Sequence, residues 1–91
     1  MNDNKLYTLN ELAKAKIDVP QKNRELWYSL EELYEALDRT MVYAKLKDYA
    51  REGKLGKRLN LYPRTWFLRA DLPIIRDNVT KIFIDEAENA K

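Results

Sequence analysis

Basic side chains are concentrated in the middle of this sequence. Residues 38–69 contain nine Lys or Arg and three Asp or Glu, a net charge of +6, whereas residues 1–37 and 70–91 each carry −2. A block of this kind raises the local concentration of a polyanion, whereas evenly mixed charge only keeps a protein soluble. The chemistry that these residues could do is therefore electrostatic binding of a phosphate backbone.

The residue types that most catalytic and metal sites need are missing. The sequence has no histidine and no cysteine, which excludes imidazole bases, thiolate nucleophiles, disulfides and nearly all structural zinc sites. Two glycines leave no glycine-rich phosphate loop, and Glu31, Glu32 and Glu35 fit the solvated face of a helix. We therefore expect a protein that is not an enzyme and holds no metal or cofactor.

Length and hydropathy indicate one small domain spanning residues 1–91, with a single modest core. No apolar run approaches the roughly 18–20 residues that cross a bilayer, and Met1–Tyr7 lacks the apolar stretch of a signal peptide. We expect a cytoplasmic protein, a location with which the lack of cysteine is consistent.

Two capping boxes mark the starts of the first two helices. In Thr8–Glu11 and in Ser29–Glu32, a hydroxyl can accept from the backbone N–H three residues on while the glutamate reaches back. Apolar residues at helical spacing then predict an N-terminal helix at about 8–17, ended before Pro20, and a second helix over 30–37.

A third helix is predicted after the short polar break at 38–40. Thr40 is its expected N-cap and Gly53 its expected terminator. Its expected buried stripe, spaced as one helical face, consists of Val42, Leu46, Tyr49 and Ala50.

Two short strands and a last helix complete the predicted fold. The strands contain Leu59 with Leu61 and Trp66 with Leu68, each alternating with other residues, and Tyr62–Arg64 forms the turn. The last helix spans about 72–88. The predicted fold is mainly α with a small β-hairpin wing, in the order α-α-α-β-β-α. Two helices joined by a tight break and followed by a two-stranded ribbon form the winged helix-turn-helix plan, here with its core at residues 29–75.

The third helix and the hairpin hold the candidate DNA contacts. Outward polar side chains of a helix can reach base edges in the major groove while basic residues contact phosphates. On the helix the candidates are Thr40, Tyr43, Ala44, Lys45, Lys47, Asp48 and Arg51. Around the hairpin they are Lys54, Lys57, Arg58 and Arg64, which would mainly position the protein on the DNA backbone. Arg51 could bind a guanine edge or a phosphate, and Asp48 could accept from cytosine or pair with Lys45 or Arg51.

Three short segments resemble the excisionase-like and MerR-like winged helix-turn-helix DNA-binding proteins. Ser29–Leu33 matches their hydroxyl-capped opening helix, Arg51–Leu55 their step into the wing, and Arg69–Leu72 the exit from it. The resemblance implies sequence-specific binding of duplex DNA, as a small transcriptional regulator or a recombination or replication accessory factor from a bacterium, phage or other mobile element. The compact turn at 38–40 departs from the family, which usually has a glycine and a longer turn there.

Other interpretations stay open. In a second register, residues 8–13 with Val19 form the first helix and turn, and residues 21–27 become the reading helix; the later register is preferred because only it is followed by a wing. The acidic arms suit a protein-interaction module that docks a partner enzyme or polymerase. Trp66 is expected under the wing in the core, but it and Phe67 could instead stack on single-stranded DNA.

The last helix has more apolar residues than one buried face needs. Leu72, Ile75, Val79 and Ile82 form a stripe that can close the domain's own core. Ile74, Phe83 and Ile84 lie off that stripe, and they could close the core or form a dimer. Leaving all three in water would be unusual for a small chain, so we expect a homodimer through this helix.

Overall fold

Residues 5–90 are described by the computed structural model of this chain, and within them the fold is mixed α/β. Residues 1–4 and 91, which belong to the predicted domain and in part to the Met1–Tyr7 segment, lie outside the described residues. Four α-helices and one small three-stranded antiparallel sheet are present in residues 5–90. In chain order the elements are α1 (Leu9–Lys14), β1 (Trp27–Ser29), α2 (Leu30–Ala36), α3 (Tyr43–Arg51), β2 (Leu59–Leu61), β3 (Arg64–Leu68) and α4 (Leu72–Asn89).

The sheet contains the predicted hairpin and one strand that the sequence did not predict. Its strand order is β1-β3-β2, with Leu59 opposite Trp66 in the hairpin and Trp27 opposite Leu68 on the other edge of β3. Residues 21–27 are therefore not a helix: a 3-10 turn over Arg24–Leu26 leads directly into β1. The second helix-turn-helix register, which needed a reading helix at 21–27, is wrong.

Apolar side chains pack on both faces of this small sheet. Leu33, Leu46, Phe67 and Ile75 belong to a cluster that joins the sheet to α2, α3 and α4. Leu12 of α1 closes a second cluster on the other face, built from Trp27, Leu59, Trp66 and Leu68. Trp66 is buried as predicted. Its neighbour Phe67 is buried as well, because successive strand residues point to opposite faces and both faces are covered.

The two predicted capping boxes are confirmed. Thr8 accepts from the N–H of Glu11, Ser29 accepts from the N–H of Glu32, and each glutamate accepts from the backbone N–H of its cap. The first helix is shorter than predicted, because it ends at Lys14 and Lys16 takes a left-handed conformation with φ 59°.

The start of α3 differs from the prediction. Asp38 and Arg39 both adopt positive φ, which lengthens the break, and α3 begins only at Tyr43 after the N-cap Val42. Thr40 is therefore not the N-cap; its hydroxyl donates to the Leu37 carbonyl at 2.8 Å. Val42, predicted in the buried stripe, is the N-cap and is 66% exposed, whereas its neighbour Met41 is buried.

The ends of α3 and α4 agree with the prediction. Gly53, with φ 77°, follows the end of α3, and the N–H of Lys54 donates to the Tyr49 carbonyl at 2.9 Å, so the chain turns away from the helix axis. In α4, Ile75, Val79 and Ile82 are buried. None of the helices within residues 5–90 is long and apolar enough to cross a membrane.

Candidate nucleic-acid interface

An open groove of about 570 Å³ runs between α3 and the β2–β3 hairpin, and the junction of β1 with α2 forms its end. Helix α3 lines it with residues one or two turns apart, and the hairpin lines it with side chains of both strands and the turn. Its lining residues are Ser29, Leu30, Glu31, Tyr43, Lys47, Ala50, Arg51, Arg58, Asn60, Pro63, Arg64 and Thr65.

The groove is strongly basic. Four cations line it, namely Lys47 and Arg51 from α3 and Arg58 and Arg64 from the hairpin, whereas Glu31 is the single carboxylate in its lining. Within residues 5–90, Lys47 and Arg64 form no ion pair, so no carboxylate of that part of the chain neutralises them. A cleft lined by one sign of charge focuses its field on the solvent above it, so this groove attracts anions.

Arg51 is held in the last turn of α3 by two contacts. Its guanidinium Nη2 lies 2.6 Å from Oδ1 of Asp48, one turn earlier, and the side chain is 74% exposed. Its backbone carbonyl accepts a hydrogen bond from Nη2 of Arg58 at 3.1 Å. The sequence left Lys45 and Arg51 as possible partners of Asp48, and in the structure Asp48 pairs with Arg51.

Arg58 points into the protein. Besides its bond to the Arg51 carbonyl, its guanidinium has a buried Nη1 with no hydrogen-bond acceptor in the described part of the chain. A buried charged donor without an acceptor is costly. Arg58 therefore links the hairpin to the end of α3, and its charge adds to the potential of the groove.

Three of the predicted basic contact residues lie outside the groove lining, and each pairs with a carboxylate. Lys45 lies 3.3 Å from Glu86 of α4, Lys54 lies 3.3 Å from Glu52, and Lys57 lies 2.7 Å from Glu11 of α1. These three lysines therefore differ from Lys47 and Arg64, which line the groove and form no ion pair within the described residues.

The remaining predicted residues of α3 differ in exposure. Ala44 and Asp48 are exposed on α3 beside the groove, and Thr40 is exposed in the break before it. Tyr43 lines the groove but is half-buried, with its ring edge-on to Tyr34 at 5.5 Å between centroids. Partial burial, and then the nearby charge of Glu31, raises the pKa of Tyr43, so its hydroxyl stays protonated and can donate to a phosphate.

The hairpin presents polar residues that the sequence reasoning missed. Asn60 and Thr65 are opposite each other in the β2–β3 pair, and the Thr65 hydroxyl donates to Oδ1 of Asn60 at 3.2 Å. Both line the groove, and the predicted strand alternation was a signal that could have identified them. Tyr62, at the hairpin turn, is 99% exposed. Trp66 and Phe67 are buried, so neither can stack on a base without leaving the core.

The predicted dimer residues are exposed but point in different directions. Ile74 is 57%, Phe83 38% and Ile84 52% exposed. At about 100° per residue, Phe83 and Ile84 diverge by one such step and Ile74 lies on the opposite flank from Phe83. Ile84 lies between them, so the three side chains together span about half the circumference of α4.

Neither possible metal ligands nor comparison with known proteins indicates a function for this chain. No group of three or more Asp or Glu within residues 5–90 could hold a metal ion. No family model, curated protein or solved structure matches this chain. What can be inferred about function therefore rests on the groove itself.

Proposed function

We propose that this protein binds duplex DNA as a small winged helix-turn-helix protein, acting as a transcriptional regulator or as an accessory factor in recombination or replication. In this proposal α3 enters the major groove and the β2–β3 hairpin is the wing that follows the backbone. The observation that carries the proposal is the groove between them, with four cations and one carboxylate in its lining. The proposed role is binding, and it requires no catalytic group or cofactor.

The distribution of exposed side chains favours duplex over single-stranded DNA. Proteins that bind single strands use several aromatic side chains as stacking platforms, whereas on the hairpin Trp66 and Phe67 are buried and Tyr62 alone is exposed. Helix α3 has nine residues, about 13 Å of helix at 1.5 Å per residue, and its outward positions Ala44, Asp48 and Arg51 are exposed. An exposed helix of this length fits the major groove of B-form DNA.

The test is a titration of labelled duplex and of its single strand with matched charge variants. Lys47→Glu with Arg64→Glu reverses two groove cations, whereas Lys14→Glu with Lys81→Glu makes the same change in net charge at residues that do not line the groove. Each lost phosphate contact costs about eightfold in affinity at 0.1 M salt. We expect the groove variant to lose about 60-fold or more, and the control to lose a few-fold through its changed net charge.

Two results would contradict the proposed function. Equal losses in the two double variants would mean that net charge, and not the groove, determines binding. Tighter binding of the single strand than of the duplex by the wild-type protein would reject the duplex mode.

A further inference from the structure

The exposed pair Asp48–Arg51 on α3 is unusual for a surface that binds a polyanion. A carboxylate there repels phosphates, and at 2.6 Å it neutralises the guanidinium beside it. An exposed ion pair contributes little to folding stability. Lys47, one turn before Arg51, forms no ion pair within the described residues and is the better phosphate anchor of the two.

The geometry of the pair suits a base edge better than a phosphate. The guanidinium of arginine is a planar fork with five N–H donors. The contact with Asp48 is made by Nη2, and the other donors of the fork bond to no residue of the described part of the chain. The backbone of Arg51 is fixed as well, because Arg58 donates to its carbonyl. A guanidinium that is held in one orientation can make the bidentate contact to O6 and N7 of guanine, which is the commonest specific contact to DNA.

We propose that Asp48 is a positioning residue that directs Arg51 to a guanine in the major groove, so that the target of this protein contains a guanine at the position facing Arg51. The inference rests on the proposed function, because it assumes that α3 enters the major groove. Lys47 and Arg64, two exposed groove cations that form no ion pair within the described residues, contact phosphates and carry no base preference.

The test is selection from a library of random duplexes, followed by affinity measurements on the selected site and on single-base changes of it. A bidentate arginine contact discriminates against the wrong base by about 5- to 150-fold. We expect the wild-type protein to prefer guanine at one position by a factor in this range, and Arg51→Ala to lose that preference.

The variant Asp48→Asn distinguishes two effects of the carboxylate, namely its positioning of Arg51 and its repulsion of phosphates. Removing the carboxylate should raise affinity for random duplex several-fold, because one phosphate-repelling group is gone, and it should lower the guanine preference at the same time. Asp48→Glu keeps the charge and should retain part of the preference. Lys47→Ala is the control: it should weaken binding to all sequences about equally and leave the guanine preference unchanged.

The outcomes distinguish this inference from the proposed function. A wild-type protein that binds duplex without preferring guanine overturns the inference alone. So does Asp48→Asn with an unchanged guanine preference, or Arg51→Ala that keeps it. A wild-type protein that binds no duplex overturns the proposed function and the inference with it.

Discussion

Replacing Arg58 with methionine tests whether this inward-facing arginine contributes to folding stability or to DNA binding in the groove. The substitution removes the hydrogen bond to the Arg51 carbonyl, and a bond from a charged donor is worth about 1.5–3 kcal/mol. It also removes the buried Nη1 that lacks an acceptor, a group that costs about 1–3 kcal/mol. Because the two effects nearly cancel, we expect Arg58→Met to change the free energy of unfolding by less than about 1 kcal/mol.

The same variant should weaken DNA binding clearly. If Lys47, Arg58 and Arg64 neutralise phosphates while Arg51 contacts a base, log K should fall with log[salt] at a slope of about −2.7 in the wild-type protein, and losing one contact should make that slope shallower by about 0.9. The loss in affinity at 0.1 M salt is then about eightfold. Urea denaturation measures the stability, and anisotropy of a labelled duplex at several salt concentrations measures the binding.

Lys57→Met is the matched control, because it removes an adjacent charge that pairs with Glu11 and lies outside the groove lining. Its salt slope should stay close to that of the wild-type protein. If Arg58→Met lowers the free energy of unfolding by more than about 2 kcal/mol, the hydrogen bond of Arg58 outweighs the cost of its buried donor. Unchanged DNA affinity in Arg58→Met, or the same loss in both variants, would refute its role in the groove.

Three further predictions concern assembly, pH and packing. We expect a homodimer at micromolar concentration in sedimentation that Ile84→Glu disrupts without unfolding the domain, because Ile84 is half exposed; a monomer at high concentration would contradict it. The backbone N–H of Ser29, and then Arg24, lower the pKa of Glu32, so the stability it contributes is present above about pH 4.5 and lost as pH falls through its folded pKa. Glu32→Gln should therefore be less stable at pH 7 by under about 1 kcal/mol after solvent screening, and a stability difference that does not narrow as the pH is lowered into the acid range would reject this cause. Phe67→Ala should cost about 3–5 kcal/mol in urea unfolding, because Phe67 is fully buried; a cost below about 1 kcal/mol would show that the sheet is not covered on both faces.

Local signals in the sequence predicted local structure well. The two capping boxes, the hairpin and the start of α4 depend on residues within a few positions of one another, and all four are present. Strand β1 was missed because it has only three residues and its partner in β3 lies about forty residues further along the chain. Strand alternation predicts a buried face with Trp66 and Leu68, but Phe67 on the other face is buried as well, because α2, α3 and α4 pack there.

The candidate site was predicted in part, for the same reason. The charge distribution located the basic segment and its four groove cations. It could not show that Lys45 and Lys57 pair with Glu86 and Glu11, because these partners are 41 and 46 residues away. Nor could it show that Arg58 turns inward to α3, since that direction depends on how the hairpin packs against the helix.

The most direct test of the proposed interface is an NMR titration of the uniformly ¹⁵N-labelled protein with a short DNA duplex. The proposed function predicts the largest amide shift changes in Tyr43–Arg51 and in residues 58–65, which form the two sides of the groove, and small changes in α1 and in the second half of α4. Largest changes in α4, or no changes at millimolar duplex and low salt, would contradict it.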